Sequence, residues 1–179
     1  FINTGATPFV PPVEGLTIGG AIHTSETIMN LEEYPESLVI IGSGFIGLEF
    51  AATYAQFGTK VTVIDVTEAF LPREDEDVAQ AVKEQLEALG VTFNLGVQLK
   101  AVHQEGGKAV VEATTGEGAP VAFTADAVLV ATGRRANVQG LDLDKAGVEL
   151  TERGAIKVNE FLQTNVPHIF AMGDVNGGP

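Results

Sequence analysis

A glycine motif between a predicted strand and a predicted helix is the feature that most constrains this chain. Residues 38–41 form a continuous apolar run, typical of a strand buried on both faces of a parallel sheet. The run leads directly into Gly42-Ser-Gly44-Phe-Ile-Gly47. In this pattern the first glycine permits a tight turn, the second lets the backbone approach a pyrophosphate, and the third lets the helix pack closely on the strand. The start of that helix would offer free N–H groups and a positive dipole end to phosphates.

The context of the motif supports a dinucleotide site. A second predicted strand, residues 61–64, ends in Asp65, which lies 18 positions after Gly47. An acid about 20 residues after the motif is the usual acceptor for ribose hydroxyls. The alternative is a βαβ unit whose glycines serve packing only. The preceding strand, the helical pattern and the second strand favour dinucleotide binding.

Composition excludes several classes of partner. The net charge is −14, so a phosphate backbone would be repelled and nucleic acid is not an expected partner. The sequence has no polybasic patch and no apolar run of about 20 residues, and its first residues are not expected to be a signal peptide. We therefore expect a cytoplasmic protein with no membrane partner.

The sequence offers no predicted metal site. It contains no cysteine, which removes disulfides, thiolate catalysis and cysteine metal sites within these residues. His23, His103 and His168 are scattered and are predicted to be surface or loop residues. The acidic run at residues 74–77 is predicted to be the first turn of a helix, where it complements the helix dipole, rather than a metal site.

The remaining pattern predicts an α/β fold with a Rossmann-like parallel sheet, flanking helices and an antiparallel β-meander. Residues 6–36 are rich in proline and are predicted to be a connecting segment, within which Thr24 or Ser25 is predicted to cap a short helix through Leu31. The other predicted helices are residues 45–57 and a segment from the acidic run to Leu89. The other predicted strands are 91–95, 98–103, 109–114, 121–124, 126–131, 156–158 and 169–172.

The chain begins in an apolar run and stops soon after another, whereas an independent domain usually begins and ends in polar surface segments. Phe1 opens on what resembles the end of a buried strand, and the chain stops at Pro179 soon after another apolar run. We therefore expect the sequence to be a piece of a longer protein.

Four segments together resemble the flavoprotein disulfide reductases, the family of dihydrolipoamide dehydrogenase, glutathione reductase and mercuric reductase. They are Asn3-Thr-Gly5, residues 39–65, residues 131–137 and residues 164–174. The resemblance implies three parts. Residues 1–30 would be a remnant of an FAD-binding domain with a connector, 31–133 an NAD(H)-binding Rossmann-like domain, and 134–179 a second remnant of the FAD-binding domain. Gly173-Asp-Val-Asn-Gly-Gly-Pro179 most resembles the bacterial reductases linked to resistance to reactive chlorine or hypothiocyanous acid.

The same resemblance implies a set of cofactor-binding residues and no catalytic or metal-binding residue in this chain. Glu49 could instead be a polar residue stabilised by the helix dipole, and Val97 could instead be part of the core. Asp174 matches the aspartate that holds the flavin. The implied cofactor-binding residues are Gly42, Gly44, Phe45, Ile46, Gly47, Glu49, Asp65, Val97, Gly133 and Asp174.

The nucleotide is predicted to be NADH rather than NADPH. A carboxylate at Asp65 is expected to accept both ribose hydroxyls and to repel a 2′-phosphate. Val66, Thr67 and Glu68 follow it, and the next basic residue is Arg73. NADPH-preferring relatives usually carry a basic residue directly after this position.

The parent protein is expected to be a homodimeric enzyme in which NADH passes hydride to FAD and the reduced flavin reduces a disulfide. Its redox cysteines and dimerisation domain would lie outside these residues, so this segment alone is expected to be inactive. Two other classes stay open: a stand-alone NAD-binding module without redox chemistry, and a structural fragment that self-associates through sheet edges.

Overall fold

A computed structural model describes residues 1–178, which divide into two compact units. The larger unit is Val10–Gly133, and the smaller consists of Phe1–Phe9 with the residues from Arg134 onward. The larger unit begins at Val10, whereas the sequence placed the start of the nucleotide-binding domain at residue 31. The reason is that residues 10–30 pack into that unit, as described below.

Ten strands and two α-helices make up the described structure. The helices are α1 (Phe45–Gln56) and α2 (Glu76–Ala88), and Ile28–Asn30 and Gly173–Asn176 form short 3₁₀ helices. The strands are β1 (Ala6–Pro8), β2 (Ile22–Thr24), β3 (Ser37–Ile41), β4 (Lys60–Ile64), β5 (Thr92–Asn94), β6 (Gln98–Glu105), β7 (Lys108–Thr114), β8 (Pro120–Ala125), β9 (Ala127–Val130) and β10 (Arg134–Ala136).

The larger unit is built on a five-stranded parallel sheet with the order β2-β9-β3-β4-β5. The central strand β3 pairs on one side with β4, where Leu38 lies opposite Val61, and on the other with β9, where Leu38 lies opposite Ala127. Strands β6, β7 and β8 form a separate antiparallel sheet. This architecture confirms the predicted α/β class with a parallel sheet and a β-meander.

The parallel sheet is buried on both faces. Leu38 and Ile40 point to a core shared with helices α1 and α2, which contribute Leu48 and Leu86 among others. The alternate residues Val39 and Ile41 belong to a second core together with apolar residues of the meander. Because side chains alternate along a strand, one apolar strand serves both cores, and the unit has three layers.

The connector before β3 is more ordered than the sequence indicated. Ile22–Thr24 forms edge strand β2, paired in parallel with β9, and Ile22 lies in the core. His23, predicted to be a surface or loop residue, is buried in this strand. The predicted helix through Leu31 is only the 3₁₀ turn Ile28–Asn30, and its N-cap is Thr27 rather than Thr24 or Ser25, because Thr24 is the last residue of β2.

The smaller unit has less regular structure. Strands β1 and β10 pair antiparallel, and its core contains Val148, Ile156, Ala171 and Val175. The predicted strands 156–158 and 169–172 are present only as isolated bridges, including a parallel bridge between Ile2 and Ala171. No helix in the described part of the chain is long and apolar enough to cross a membrane.

Asp126 joins the start of β3 to the junction of β8 and β9. Its Oδ2 accepts hydrogen bonds from the Ser37 N–H at 2.9 Å and the Ser37 hydroxyl at 2.6 Å. Its Oδ1 lies 2.8 Å from Lys108 Nζ. The bonds from Lys108 and Ser37 lower the pKa of Asp126 to about 2. The carboxylate is therefore a polar tie between the parallel sheet and the meander.

We expect the Asp126→Asn variant to be destabilised by roughly 1 kcal/mol at neutral pH, because an asparagine cannot keep the charged bond to Lys108. A folded-state pKa below the ordinary carboxyl value gives stability above pH 4 that is lost as the pH falls toward 2. The difference between wild type and variant should shrink across that interval in urea unfolding. The exposed pair of Asp142 and Lys145 provides the control, since Asp142→Asn should change stability little at any pH. A constant difference down to pH 2 would contradict this assignment.

Candidate dinucleotide-binding cleft

A cleft of about 860 Å³ lies at the carboxyl ends of β3, β4 and β9. Its walls include the residues that follow each strand: Gly42 to Phe45 after β3, Asp65 to Thr67 after β4, and Ala131 to Gly133 after β9. Strand β3 stands between β4 on one side and β9 on the other. In open parallel sheets, ligands usually bind in the crevice outside the carboxyl ends of the strands, at the point where the strand order reverses.

The three glycines of the motif differ in what surrounds them. Gly42 has a φ of +113°, and a Cβ there would lie 2.4 Å from the Ala131 carbonyl oxygen. A Cβ on Gly47 would lie 2.1 Å from the Gly42 carbonyl oxygen. A Cβ on Gly44 would meet no protein atom within 4 Å. The first and third glycines are thus required by the fold, whereas the second borders open space in the cleft.

The amino terminus of α1 borders the cleft at Gly44 and Phe45, and no side chain caps it by a hydrogen bond. Gly44 is the N-cap, and its carbonyl accepts the first helical bond, from the Leu48 N–H. In an α-helix the preceding N–H groups, here those of Phe45 to Gly47, have no partner within the helix. The first turn contains no acidic residue. The positive end of the helix dipole is therefore free to stabilise an anion.

Asp65 is held by the glycine turn and by its own loop. Its Oδ2 accepts hydrogen bonds from the Ser43 N–H at 2.6 Å and the Ser43 hydroxyl at 2.8 Å. Its Oδ1 accepts one from the Thr67 N–H at 2.8 Å. Burial raises the pKa of Asp65, but these bonds outweigh burial and the net pKa is lowered. Asp65 is therefore ionised at neutral pH.

The structure brings six of the ten predicted site residues into the wall of the cleft: Gly42, Gly44, Phe45, Asp65, Val97 and Gly133. Ile46, Gly47 and Glu49 lie on α1 outside the lining residues, and Glu49 is exposed. Asp174 lies in the smaller unit, in the 3₁₀ helix Gly173–Asn176. The binding roles of all ten residues stay predictions.

Sequence reasoning did not single out Ser43 as a site residue, and it mentioned Arg73 only as the first base after Asp65. Ser43 is buried beneath the turn and donates twice to Asp65. The only available signal was a hydroxyl side chain between the first two glycines of the motif. Arg73 lines the cleft and is the one cationic side chain that does so among the described residues.

Asp174 is an exposed residue of the smaller unit. Its carboxylate is 63% exposed and lies 3.9 Å from Arg134 Nε. A Cβ on the neighbouring Gly173 would come within 3.0 Å of Asn3 Oδ1.

Fold and cleft together define a Rossmann-like α/β protein, with its glycine turn at the carboxyl end of the central strand. The family model described as pyridine nucleotide-disulphide oxidoreductase matches residues 1–179. The chain therefore belongs to the pyridine nucleotide-disulphide oxidoreductase family, whose flavoprotein members use FAD and a pyridine nucleotide.

Curated relatives and solved structures agree with this assignment. The chain is 40% identical over 178 residues to a protein of Escherichia coli K12 described as a probable pyridine nucleotide-disulfide oxidoreductase, RclA; the match covers 99% of this chain and 39% of that protein. It is also 40% identical to dihydrolipoyl dehydrogenase of Bacillus subtilis, covering 99% and 38% of the two chains. The structure of the HOCl-induced flavoprotein disulfide reductase RclA from E. coli superposes with a TM-score of 0.92 at 38% identity, covering 99% and 40%.

The chain spans about 39% of the length of the first of these relatives. Identity to RclA and to the B. subtilis dehydrogenase is equal at 40%. Overall identity therefore does not separate the reactive-chlorine subgroup from the dehydrogenases.

Proposed function

We propose that this chain is the NADH-binding part of an FAD-dependent pyridine nucleotide-disulfide oxidoreductase and that it positions NADH for hydride transfer to FAD. The observation that carries the proposal is the shared wall of the cleft. The open backbone at Gly44 and the ionised Asp65 line the same cavity at the carboxyl ends of parallel strands. One can approach a pyrophosphate, and the other can accept a ribose hydroxyl.

Each part of the cleft has a physical role in this proposal. The amino terminus of α1 stabilises the pyrophosphate charge, which matters in a chain with a net charge of −14. Val97 and Leu99 supply apolar lining next to Asp65 for a base. Phe45 is 64% exposed at the mouth of the cleft and can shield a bound nucleotide from water. Bound FAD would accept the hydride. Asp174, which belongs to the smaller unit and not to the cleft, would hold the ribityl or pyrophosphate region of the FAD.

NADH is the proposed nucleotide because Asp65 is ionised and faces the cleft. A second phosphate on the ribose would meet this carboxylate at close range, and like charges repel strongly where water is partly excluded. Arg73 is the first cationic residue after Asp65 in the sequence and lines the same cleft, so the preference depends on the balance between the Asp65 and Arg73 side chains.

The test is a calorimetric titration of the protein with NADH and, separately, with NADPH, in wild type and in Asp65→Ala. Wild type should bind NADH at least about 10-fold more tightly, and the substitution should remove the preference, since a bond to a charged acceptor contributes about 1.5–3 kcal/mol. Loss of the bonds to Ser43 affects both nucleotides alike, so the ratio of the two affinities is the informative quantity.

Asp144→Ala, which removes an exposed acid in the smaller unit, is the matched control and should leave that ratio unchanged. Tighter binding of NADPH by wild type would contradict the nucleotide preference. If neither nucleotide binds to a protein whose circular dichroism spectrum is typical of the α/β fold, the proposed function itself is contradicted.

For the whole protein we propose a cytoplasmic, homodimeric flavoenzyme whose redox cysteines lie outside the present sequence, which has none. In that enzyme this segment contributes nucleotide position and electrostatics, and no residue of it takes part in dithiol chemistry. The segment alone is proposed to be inactive. The relatives named above are oxidoreductases, and this supports a redox role over a stand-alone sensing module.

A further inference from the structure

We propose that Asp65 accepts a hydrogen bond from only one of the two ribose hydroxyls of the nucleotide. One oxygen of its carboxylate, Oδ2, already accepts two hydrogen bonds from Ser43. Ser43 is then a positioning residue that determines which ribose hydroxyl donates to Asp65. This inference rests on the proposed nucleotide-binding function and replaces the expectation that Asp65 accepts both hydroxyls.

The hydrogen-bond capacity of the carboxylate carries the argument. An ionised carboxylate offers about four acceptor positions, two on each oxygen. On Oδ2 both positions are taken by Ser43, through its N–H at 2.6 Å and its hydroxyl at 2.8 Å. On Oδ1 the Thr67 N–H takes one at 2.8 Å, so Oδ1 is the oxygen left for a ligand.

The two donor residues, Ser43 and Thr67, differ in burial, so a ligand can displace a donor more easily from one carboxylate oxygen than from the other. Ser43 is only 6% exposed, so its hydroxyl, if displaced from Oδ2, would have to find another partner away from water or remain unsatisfied at a cost. Thr67 is exposed, and its hydroxyl, which also helps to lower the pKa of Asp65, can bond to water when a ligand displaces it. A ribose hydroxyl can therefore replace a donor at Oδ1 but not at Oδ2.

The position of Ser43 in the chain explains why it remains fixed. It lies between Gly42, whose positive φ sets the turn, and Gly44, the N-cap of α1. Its backbone and side chain both donate to the same oxygen, which holds the turn and the end of β4 together. A single ribose hydroxyl at Oδ1 would then fix the rotation of the ribose relative to the pyrophosphate.

The experiment compares NADH with 2′-deoxy-NADH and 3′-deoxy-NADH by calorimetry. In wild type, one deoxy analogue should bind about 10-fold or more weakly than NADH and the other within about 2-fold, since only one hydroxyl makes the charged bond. In Ser43→Ala the freed position on Oδ2 can accept the second hydroxyl. The analogue that bound like NADH should then become several-fold weaker than NADH.

Two variants provide controls. Ser43→Thr retains a hydroxyl and should restore the wild-type pattern. Thr67→Val removes a hydroxyl from the exposed side of the same carboxylate and should leave the identity of the discriminated analogue unchanged. A general loosening of the turn would weaken all three nucleotides alike and would not change their order.

Equal losses for the two analogues in wild type would overturn the proposal, because they would show that both hydroxyls are read. An unchanged pattern in Ser43→Ala would also overturn it. Failure of the proposed function would look different, since NADH itself would then not bind to the wild-type protein.

Discussion

Replacing Gly44 with alanine is expected to weaken NADH binding by about 100-fold while changing the free energy of unfolding by less than about 1 kcal/mol. Gly44 has an ordinary φ of −74°, and a Cβ there would meet no protein atom within 4 Å. The fold therefore does not need this glycine. The methyl group would instead occupy the space through which a pyrophosphate approaches the free N–H groups of α1. Calorimetry and urea unfolding on the same sample measure the two quantities.

Gly116→Ala is the matched control for that substitution. Gly116 also has a φ outside the left-handed region, and its added Cβ would make only ordinary contacts, at 3.7 Å to Glu68 Oε1 and 3.8 Å to the Gly96 carbonyl. It does not line the cleft, so binding should remain at the wild-type level. Wild-type affinity in Gly44→Ala would contradict the assignment of the α1 amino terminus as the phosphate site.

The central strands could be predicted because their sequence carries two independent signals. Strand β3 is a continuous apolar run followed by a glycine turn, and β4 repeats the run and ends in an acid. Strand β2 has only three residues and follows a proline-rich stretch. Its order comes from pairing with β9, about 100 residues away along the chain. Local pattern cannot report such a long-range contact, and for the same reason the burial of His23 was not predicted.

The site could be predicted where residue type and spacing alone define a role. The motif glycines and Asp65 follow a fixed spacing, and Gly42, Gly44 and Asp65 line the same cleft. The link between Ser43 and Asp65 depends on where two loops meet in space, 22 positions apart. A serine in that loop is equally compatible with solvent exposure, so its burial and double donation required the structure.

A second large effect is expected for Gly42→Ala, which should lower the free energy of unfolding by about 4 kcal/mol and the Tm by roughly 10 °C. Two costs combine at this position. The φ of +113° is strained for any residue with a Cβ. The added methyl group would also lie 2.4 Å from the Ala131 carbonyl oxygen, so the turn after β3 and the end of β9 would have to separate.

Gly133→Ala separates these two costs. Gly133 has a similar φ of +127°, but a Cβ there would meet nothing within 4 Å. That variant should therefore show only the backbone strain, about 1–2 kcal/mol, and the difference between the two variants measures the close approach of Gly42 to Ala131. Equal destabilisation of the two variants would show that the turn can move away from β9 at little cost. A rigid turn at Gly42, by contrast, fixes Ser43 relative to Asp65 and Gly44 relative to the cleft before any nucleotide arrives, so the same close contact supports both the fold and the proposed site.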